Sequence, residues 1–128
     1  MRIGDKSNFL CIERLETSAA GPAWRCEATA ATGGWKCAVV HDQVIVAEAE
    51  EALKQTLDFS ILQTPRVDIA LSESGWVRIT RDIRGRIIVR YRLGRLRAGA
   101  AVEGEVVLGV ERGDEFCKHL ISLLSHGT

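Results

Sequence analysis

Apolar and polar residues alternate almost without interruption from Val67 to Leu93, and this pattern constrains the fold more than any other feature of the chain. A period of two residues is typical of β-strands that bury one face. The alternating runs are separated at Ser72–Gly75, which turns the chain, and at Ile83–Gly85, where the glycine supplies the left-handed residue that a tight loop requires. The segment therefore predicts a meander of antiparallel strands with one apolar face.

The same alternation predicts which residues lie opposite each other in neighbouring strands. Closing the second loop with Asp82 opposite Arg86 places Ile79 opposite Val89. The first loop, closed in the same manner, places Ile69 opposite Ile79. Both pairings put the apolar residues of the three strands on a single face.

A second hairpin is predicted nearer the N-terminus, where the alternating runs Ala23–Thr32 and Trp35–Val40 flank Gly33–Gly34. Two glycines suit a type I′ turn, because both of its central residues need positive φ. A turn at this point places Ala30 opposite Cys37, and the apolar sides of the two strands then coincide.

The other predicted elements complete an antiparallel α+β domain. They are a strand at Phe9–Leu15, a short strand or strand extension at Val44–Val46, a helix at Ala47–Leu57, a strand at Val102–Val110 and a helix from Asp114 to about Ser125. The order βββ-α-ββββ-α predicts one antiparallel meander sheet of about six or seven strands with the helices packed on one face. A small β-sandwich or half-barrel with two helices is the alternative.

Length and composition predict a single domain over residues 1–128. With 46% hydrophobic and 27% charged residues, the composition is that of a folded protein. The 17 basic and 17 acidic residues cancel, so net charge predicts neither a nucleic-acid nor a membrane partner. The N-terminus lacks the apolar core of a signal peptide, and no apolar run is long enough to span a membrane. We therefore expect a cytoplasmic protein.

The four cysteines favour the same compartment. Cys11, Cys26, Cys37 and Cys117 form no C-x-x-C pair, and each lies among apolar residues of a predicted strand or helix. Two disulfides are the alternative, but a domain of this length does not need them. We expect reduced and largely buried thiols.

Positive charge is concentrated within the meander. Between Trp76 and Arg97 the chain has eight arginines and one acidic residue, Asp82. In the predicted register four of these arginines share the face opposite the core with Trp76, and Arg78 lies directly across from Arg90. The predicted binding residues on this face are Trp76, Arg78, Arg86, Arg90 and Arg92.

Three interpretations of this face remain open. Glu103, Glu105 and Glu111 are predicted on the polar side of the neighbouring strand, where they would pair with the arginines in a solvated face that needs no ligand. Alternatively, the face binds a protein, for which Trp and Arg are typical anchors. In the third interpretation it binds a small anion, a nucleotide or, less favourably, a nucleic acid. Trp76 would then be a stacking platform, or it would form a cation–π pair with Arg92.

No combination of residues predicts an enzyme. The histidines, His41, His119 and His126, have no second histidine or cysteine at ligand spacing, which argues against a metal site. Cys117 and His119 are two positions apart on a predicted helix and therefore point in different directions. The chain has no phosphate-binding loop, dinucleotide fingerprint or nucleophile elbow, so we predict no catalytic residues and no cofactor.

The segment Ala70–Gly75, ALSESG, resembles the D-x-S-x-x-G signature of PilZ domains, which bind cyclic di-GMP. The serine and the glycine match, but Ala70 stands where the signature has aspartate. The R-x-x-x-R arm that precedes this signature in the family is also missing upstream. We therefore exclude membership of this family.

The C-terminal half resembles another group in its layout. A strand, the Asp82–Gly85 turn, an alternating strand, and a final strand running into a helix with an acidic start follow one another. Small bacterial proteins related to the immunity proteins of WapI-type contact-dependent toxins have a similar arrangement. The resemblance implies a cytosolic protein that acts by binding another protein.

We therefore expect a non-enzymatic protein-interaction module of an immunity-like kind. Its partner would be a toxin-like protein or a second copy of the chain, as in a homodimer. The Arg-rich sheet face would provide the binding surface. A small-anion or nucleotide-binding domain is the alternative.

Overall fold

The computed structural model describes residues 1–5, 8–14, 24–29, 36–41, 44–45, 49–58, 66–71, 75–93 and 102–125. These residues form nine strands and two helices. The strands are β1 (Arg2–Gly4), β2 (Phe9–Arg14), β3 (Trp24–Thr29), β4 (Lys36–His41), β5 (Val44–Ile45), β6 (Val67–Leu71), β7 (Trp76–Arg81), β8 (Ile87–Leu93) and β9 (Val102–Leu108). The helices are α1 (Ala49–Leu57) and α2 (Val110–Ser125).

The α+β class and the order of strands and helices are confirmed. The strands divide between two antiparallel sheets, β1-β2-β3-β4 and β5-β6-β7-β8-β9, so they do not join in one meander. The division lies at Val44–Ile45, which forms a separate short strand and pairs with β6. Because β5 belongs to the second sheet, β4 is left at the end of the first.

The core is one hydrophobic cluster to which both sheets and both helices contribute. Each residue that the alternation places on the apolar face of the meander is buried, namely Val67, Ile69, Leu71, Val77, Ile79, Ile87, Val89, Tyr91 and Leu93. Trp24, Cys26 and Ala28 of β3 are also fully buried in this cluster. The inner face of the second sheet is therefore covered by the first sheet and the helices, and its outer face is left for the polar residues.

The predicted register of β7 and β8 is confirmed. Ile79 pairs with Val89, and the backbone N–H of Asp82 donates a 3.0 Å hydrogen bond to the carbonyl of Arg86. Gly85 has a φ of 83°, which is the left-handed conformation that this loop requires.

Two other predicted registers are wrong by two residues. Cys37 lies opposite Ala28, and Ile79 lies opposite Val67, whereas the predicted partners are two residues further along the chain. Side chains repeat every two residues along a strand, so a shift of two leaves the apolar faces in place. The Gly33–Gly34 turn lies outside the described residues.

Helix α2 begins at Val110, four residues before the predicted start at Asp114. Val110 is therefore not part of a strand, and its side chain is 44% exposed. The N–H of Gly113 donates a 2.8 Å hydrogen bond to the carbonyl of Gly109, which closes the first turn of the helix. A Cβ at Gly113 would lie 2.4 Å from a side-chain carbon of Ile87, so only glycine allows this close packing on β8.

The predicted apolar stripe of α2 lies against the core. Phe116, Cys117, Leu120 and Leu123 are buried, and Ile121 is partly buried. The side chain of Leu124, which the sequence also places in this stripe, is not among the side chains that the structure describes. Neither helix of the described residues has the length and apolar character needed to cross a membrane.

Candidate functional site

The outer side of the second sheet presents the polar residues that the sequence singles out. Pairing across β6 to β9 aligns two rows of side chains on this side: Ala70, Trp76, Arg92 and Glu103 in one row, and Asp68, Arg78, Arg90 and Glu105 in the next. We call these eight residues the Trp76 face. Four of the five predicted binding residues belong to the Trp76 face, namely Trp76, Arg78, Arg90 and Arg92.

Arg78 lies directly across from Arg90, as predicted, and each guanidinium is drawn towards a carboxylate on its far side. The Nε of Arg78 lies 2.9 Å from a carboxylate oxygen of Asp68. The Nε of Arg90 lies 2.8 Å from a carboxylate oxygen of Glu105. The second row therefore has the charge order minus, plus, plus, minus, which relieves the repulsion between the two arginines.

Asp68 is the functional residue of this face that could not be predicted from the sequence. It accepts hydrogen bonds from the side chains of Arg78 and Arg66, both at 2.9 Å. Partial burial opposes ionisation, but these two hydrogen bonds and the charges of the arginines hold the pKa of Asp68 below its ordinary value. The predicted register placed Asp68 opposite Thr80, and for this reason its pairing with Arg78 was not expected.

Trp76 lies on the outer side of the sheet, as parity predicts, and its side chain is half-buried. The guanidinium carbon of Arg78 lies 4.8 Å from the centre of its ring. The cation–π partner is therefore Arg78, and the prediction of Arg92 was wrong. The Nε of Arg92 lies 3.1 Å from a carboxylate oxygen of Glu103. The two groups form an ion pair, but the Nε–H is not aligned for a hydrogen bond.

Arg86, the fifth predicted residue, lies in the loop between β7 and β8 and outside the Trp76 face. Its Nε donates a 2.8 Å hydrogen bond to Asp82, which also accepts the backbone N–H groups of Arg84 and Arg86. Despite some loss of hydration, these bonds hold the pKa of Asp82 below its ordinary value. The predicted partner Glu111 belongs to the first turn of α2, so it does not lie on a strand beside Arg86.

Another of the eight arginines between Trp76 and Arg97 has a structural role. Arg81 donates hydrogen bonds to the carbonyls of Thr56, at 2.8 Å, and Asp58, at 3.2 Å, at the C-terminus of α1. A cation at this position satisfies carbonyls that have no partner within the helix. Arg95 and Arg97 lie outside the described residues.

A cleft of about 410 Å³ lies beside β9, and Glu105 is the one residue of the Trp76 face that lines it. One wall is formed by consecutive residues of β9 and of the link to α2, Glu105 to Gly109. The other wall contains Gly4 at the end of β1 and Asp5 and Asn8 of the β1–β2 connection, with Arg112 of α2 beside them. The sequence pattern does not reveal this cleft, because the cleft depends on the contact of β1 with β9.

Tyr91 joins the two sheets next to this cleft. Its buried hydroxyl lies 2.7 Å from the side-chain oxygen of Asn8 and 3.1 Å from the carbonyl of Phe9. Gly104 makes room for the ring, because a Cβ there would lie 2.3 Å from the tyrosine oxygen. Burial raises the pKa of Tyr91 to about 12, so the hydroxyl stays protonated and can donate.

Three of the four cysteines lie within the described side chains, and their thiols are free. Cys26 and Cys117 are buried, and burial raises the pKa of each to about 12. Cys11 is only half-buried, so the prediction of a largely buried thiol is wrong for this residue. It lies on the outer side of β2 with Glu13, whose carboxylate is 3.7 Å from its sulfur.

Histidine and acidic residues form no metal centre in the part of the chain that the structure describes, where no group of three potential ligands comes together. His119 lies on α2, and its Nε2 is 3.1 Å from the carbonyl of Ile12. A comparison of the chain with protein-family models, with curated proteins and with solved structures found no match.

Proposed function

We propose that the chain is a non-enzymatic protein-interaction module whose partner binds the Trp76 face. The observation that carries this proposal is the composition of the face: a half-buried tryptophan under a guanidinium, with each of the arginines Arg78, Arg90 and Arg92 joined to a carboxylate. Tryptophan and arginine are the residues that most often anchor protein interfaces. Their ordered arrangement on a rigid sheet reduces the entropy lost on binding.

The charges of the face favour a protein over a phosphate group. Asp68, Glu103 and Glu105 neutralise three of the arginines through ion pairs of 2.8–3.1 Å. A phosphate would have to displace these carboxylates or lie beside them, and both cost electrostatic free energy. A protein surface with its own paired charges meets no such penalty. The small-anion or nucleotide-binding alternative therefore has less support.

The layout resemblance to immunity proteins supplies a candidate partner. We propose a toxin-like protein encoded beside the gene for this chain, with a second copy of the chain as the competing partner. Sedimentation of the purified chain across a range of concentrations separates the two, because a homodimer forms without any other component.

Binding is tested by titration calorimetry of the purified candidate partner with the chain and three variants. We expect Trp76→Ala and Arg90→Ala to weaken binding by about tenfold or more, as interface anchors do. The matched control is Arg86→Ala, because Arg86 is also an ion-paired arginine, joined to Asp82 at 2.8 Å, but lies outside the Trp76 face. The proposal is wrong if both variants bind as tightly as the parent chain, or if the control loses as much affinity.

A further inference from the structure

The cleft beside β9 follows the open edge of a sheet. Among the described residues β9 is the last strand of the five-stranded sheet, and β8 is its hydrogen-bonded neighbour. Consecutive residues from Glu105 to Gly109 line the cleft, so its wall is the strand's own backbone. An edge strand presents N–H and C=O groups that can pair with another strand. The volume of about 410 Å³ is that of a small ligand site.

The orientation of the backbone groups follows from one hydrogen bond. The side-chain amide of Asn8 donates to the carbonyl of Glu105, so this carbonyl points away from β8 and towards the cleft. In an antiparallel ladder the residues alternate between the two sides. The N–H and C=O of Val107 therefore also point towards the cleft. The amide of Asn8 occupies the place that the N–H of an added strand would take at Glu105.

The cleft remains open beyond Asn8. The side chain of Val107 is 49% exposed, and a Cβ built on Gly109 would have no neighbouring atom within 4 Å. An added strand would therefore pair at Val107, with Asn8 marking the end of the pairing. Strand addition of this kind is a common mode of peptide recognition.

The side chains around the cleft indicate which peptide would fit. Asp5 and Glu105 provide carboxylates, of which Asp5 accepts the N–H of Asn8 and Glu105, 45% exposed, is ion-paired to Arg90 at 2.8 Å on its other side. Among the described residues of the lining the two carboxylates face one cation, Arg112, which is engaged with Glu115 and with the carbonyl of Arg2, at 2.9 Å and 2.7 Å. The charge of the cleft thus favours a basic residue, and exposed Val107 favours an apolar one.

A second copy of the chain fits this edge poorly. The outward residues of β9 are Glu103, Glu105 and Val107. Pairing β9 with another β9 would bring glutamates of the two copies together, and like charges on neighbouring strands are destabilising.

We propose that the edge of β9 binds a short extended peptide of a partner protein by antiparallel strand addition. The peptide would place an apolar residue opposite Val107, and beyond the end of the pairing the long side chain of a basic residue would reach the carboxylate of Glu105. This site meets the Trp76 face at Glu105 but does not involve Trp76, so it goes beyond the proposed function and can be tested independently of it.

The probe is a fluorescein-labelled peptide of sequence Lys-Thr-Val-Thr-Lys with blocked ends, whose symmetry allows either chain direction. Binding is measured by fluorescence anisotropy at physiological salt. A second peptide is N-methylated at the central valine, which removes one N–H donor and keeps the charge. A third has glutamate in place of both lysines. We expect each change to weaken binding by about tenfold or more, since a lost hydrogen bond or an opposed charge has this effect.

The protein variants are Val107→Pro and the matched control Val107→Thr. Proline removes the outward N–H, and because this group is not part of the β8 ladder, an edge strand tolerates the change. We expect binding to be lost with proline and kept within about twofold with threonine. The denaturant midpoint of each variant shows that it is folded, and Trp76→Ala is expected to bind the peptide normally.

Equal binding of the N-methylated and parent peptides would overturn the proposal, because strand addition requires that N–H. Failure of the parent peptide to bind at millimolar concentration would also overturn it. If Val107→Pro does not fold, the comparison of the two peptides on the unmodified chain decides the outcome.

Discussion

Replacing Trp76 by alanine separates a surface that is used for binding from one that stabilises the fold. Trp76 is half-buried on the outer side of the sheet and does not belong to the hydrophobic cluster. What the variant loses in the isolated chain is the contact with Arg78, whose guanidinium carbon lies 4.8 Å from the ring centre. A partly exposed cation–π pair contributes about 0.5–1 kcal/mol. We therefore expect the free energy of unfolding to fall by about 1 kcal/mol.

Trp24 provides the comparison within the same chain. Its side chain is fully buried in the core. Truncation of a core aromatic residue to alanine costs about 3–5 kcal/mol. The two variants lose the same atoms, so the difference between them measures the difference in environment.

The assay is denaturant unfolding followed by circular dichroism, with the midpoint and the slope compared for the parent chain and both variants. A fall of about 3 kcal/mol or more for Trp76→Ala would mean that this residue stabilises the fold as a core residue does. Fold stability alone would then account for a tryptophan at this position, and the Trp76 face would need no binding partner.

Three further predictions concern the hydroxyl of Tyr91 and the thiols of the cysteines. Tyr91→Phe removes the hydroxyl that bonds to Asn8, and we expect a loss of about 1–3 kcal/mol in denaturant unfolding. Because folding raises the pKa of Tyr91 from 10.0 to about 12, its contribution is complete below pH 10 and is lost as the pH rises towards 12. The stability difference between the parent chain and Tyr91→Phe should therefore shrink across this range; a constant difference would contradict the shift. In the native chain carrying the substitution Cys37→Ser, we expect a thiol reagent to modify Cys11 much faster than Cys26 and Cys117, which are buried. Equal rates in mass spectrometry would refute this.

Local turn chemistry is the reason that the β7–β8 hairpin could be predicted in full. Asp82 and Gly85 define the loop, since the aspartate accepts two backbone N–H groups and the glycine takes a positive φ. The closed loop then fixes every pair along the two strands, including Arg78 with Arg90.

The β6–β7 register could not be predicted from the same alternation. The apolar pattern distinguishes between odd and even shifts but not between shifts of zero and two. The error of two residues concealed the pairing of Asp68 with Arg78, which the structure shows at 2.9 Å. Parity alone was sufficient to place Trp76 on the outer side.

Features that depend on contacts between distant parts of the chain could not be predicted from the sequence. Strand β1 has only three residues, Arg2–Gly4, which is too short for a recognisable period. Its position beside β9 creates the cleft with Asn8 and Arg112. The division into two sheets likewise depends on the pairing of a two-residue strand with β6.

The charge order of the Trp76 face leads to a last prediction about its specificity. Arg78 and Arg90 can face each other because Asp68 and Glu105 flank them in the neighbouring strands. If these carboxylates prevent phosphate binding, their removal should create it. We therefore consider the triple variant Asp68→Asn, Glu103→Gln and Glu105→Gln, in which the side chains keep their approximate shape and lose their charge.

The triple variant should bind a labelled DNA duplex in an anisotropy titration, and the parent chain should not bind it at physiological salt. Each phosphate contact that the uncovered arginines form should add about 0.9 to the slope of log affinity against log salt concentration. A control for net charge replaces three exposed acidic residues of the helices, Glu51, Glu111 and Glu115, by glutamine. Equal binding by this control would mean that overall charge, not the arginine pair, attracts the duplex. Tight, salt-sensitive binding by the parent chain would instead favour the anion-binding interpretation, because the carboxylates would then fail to exclude phosphate from the face.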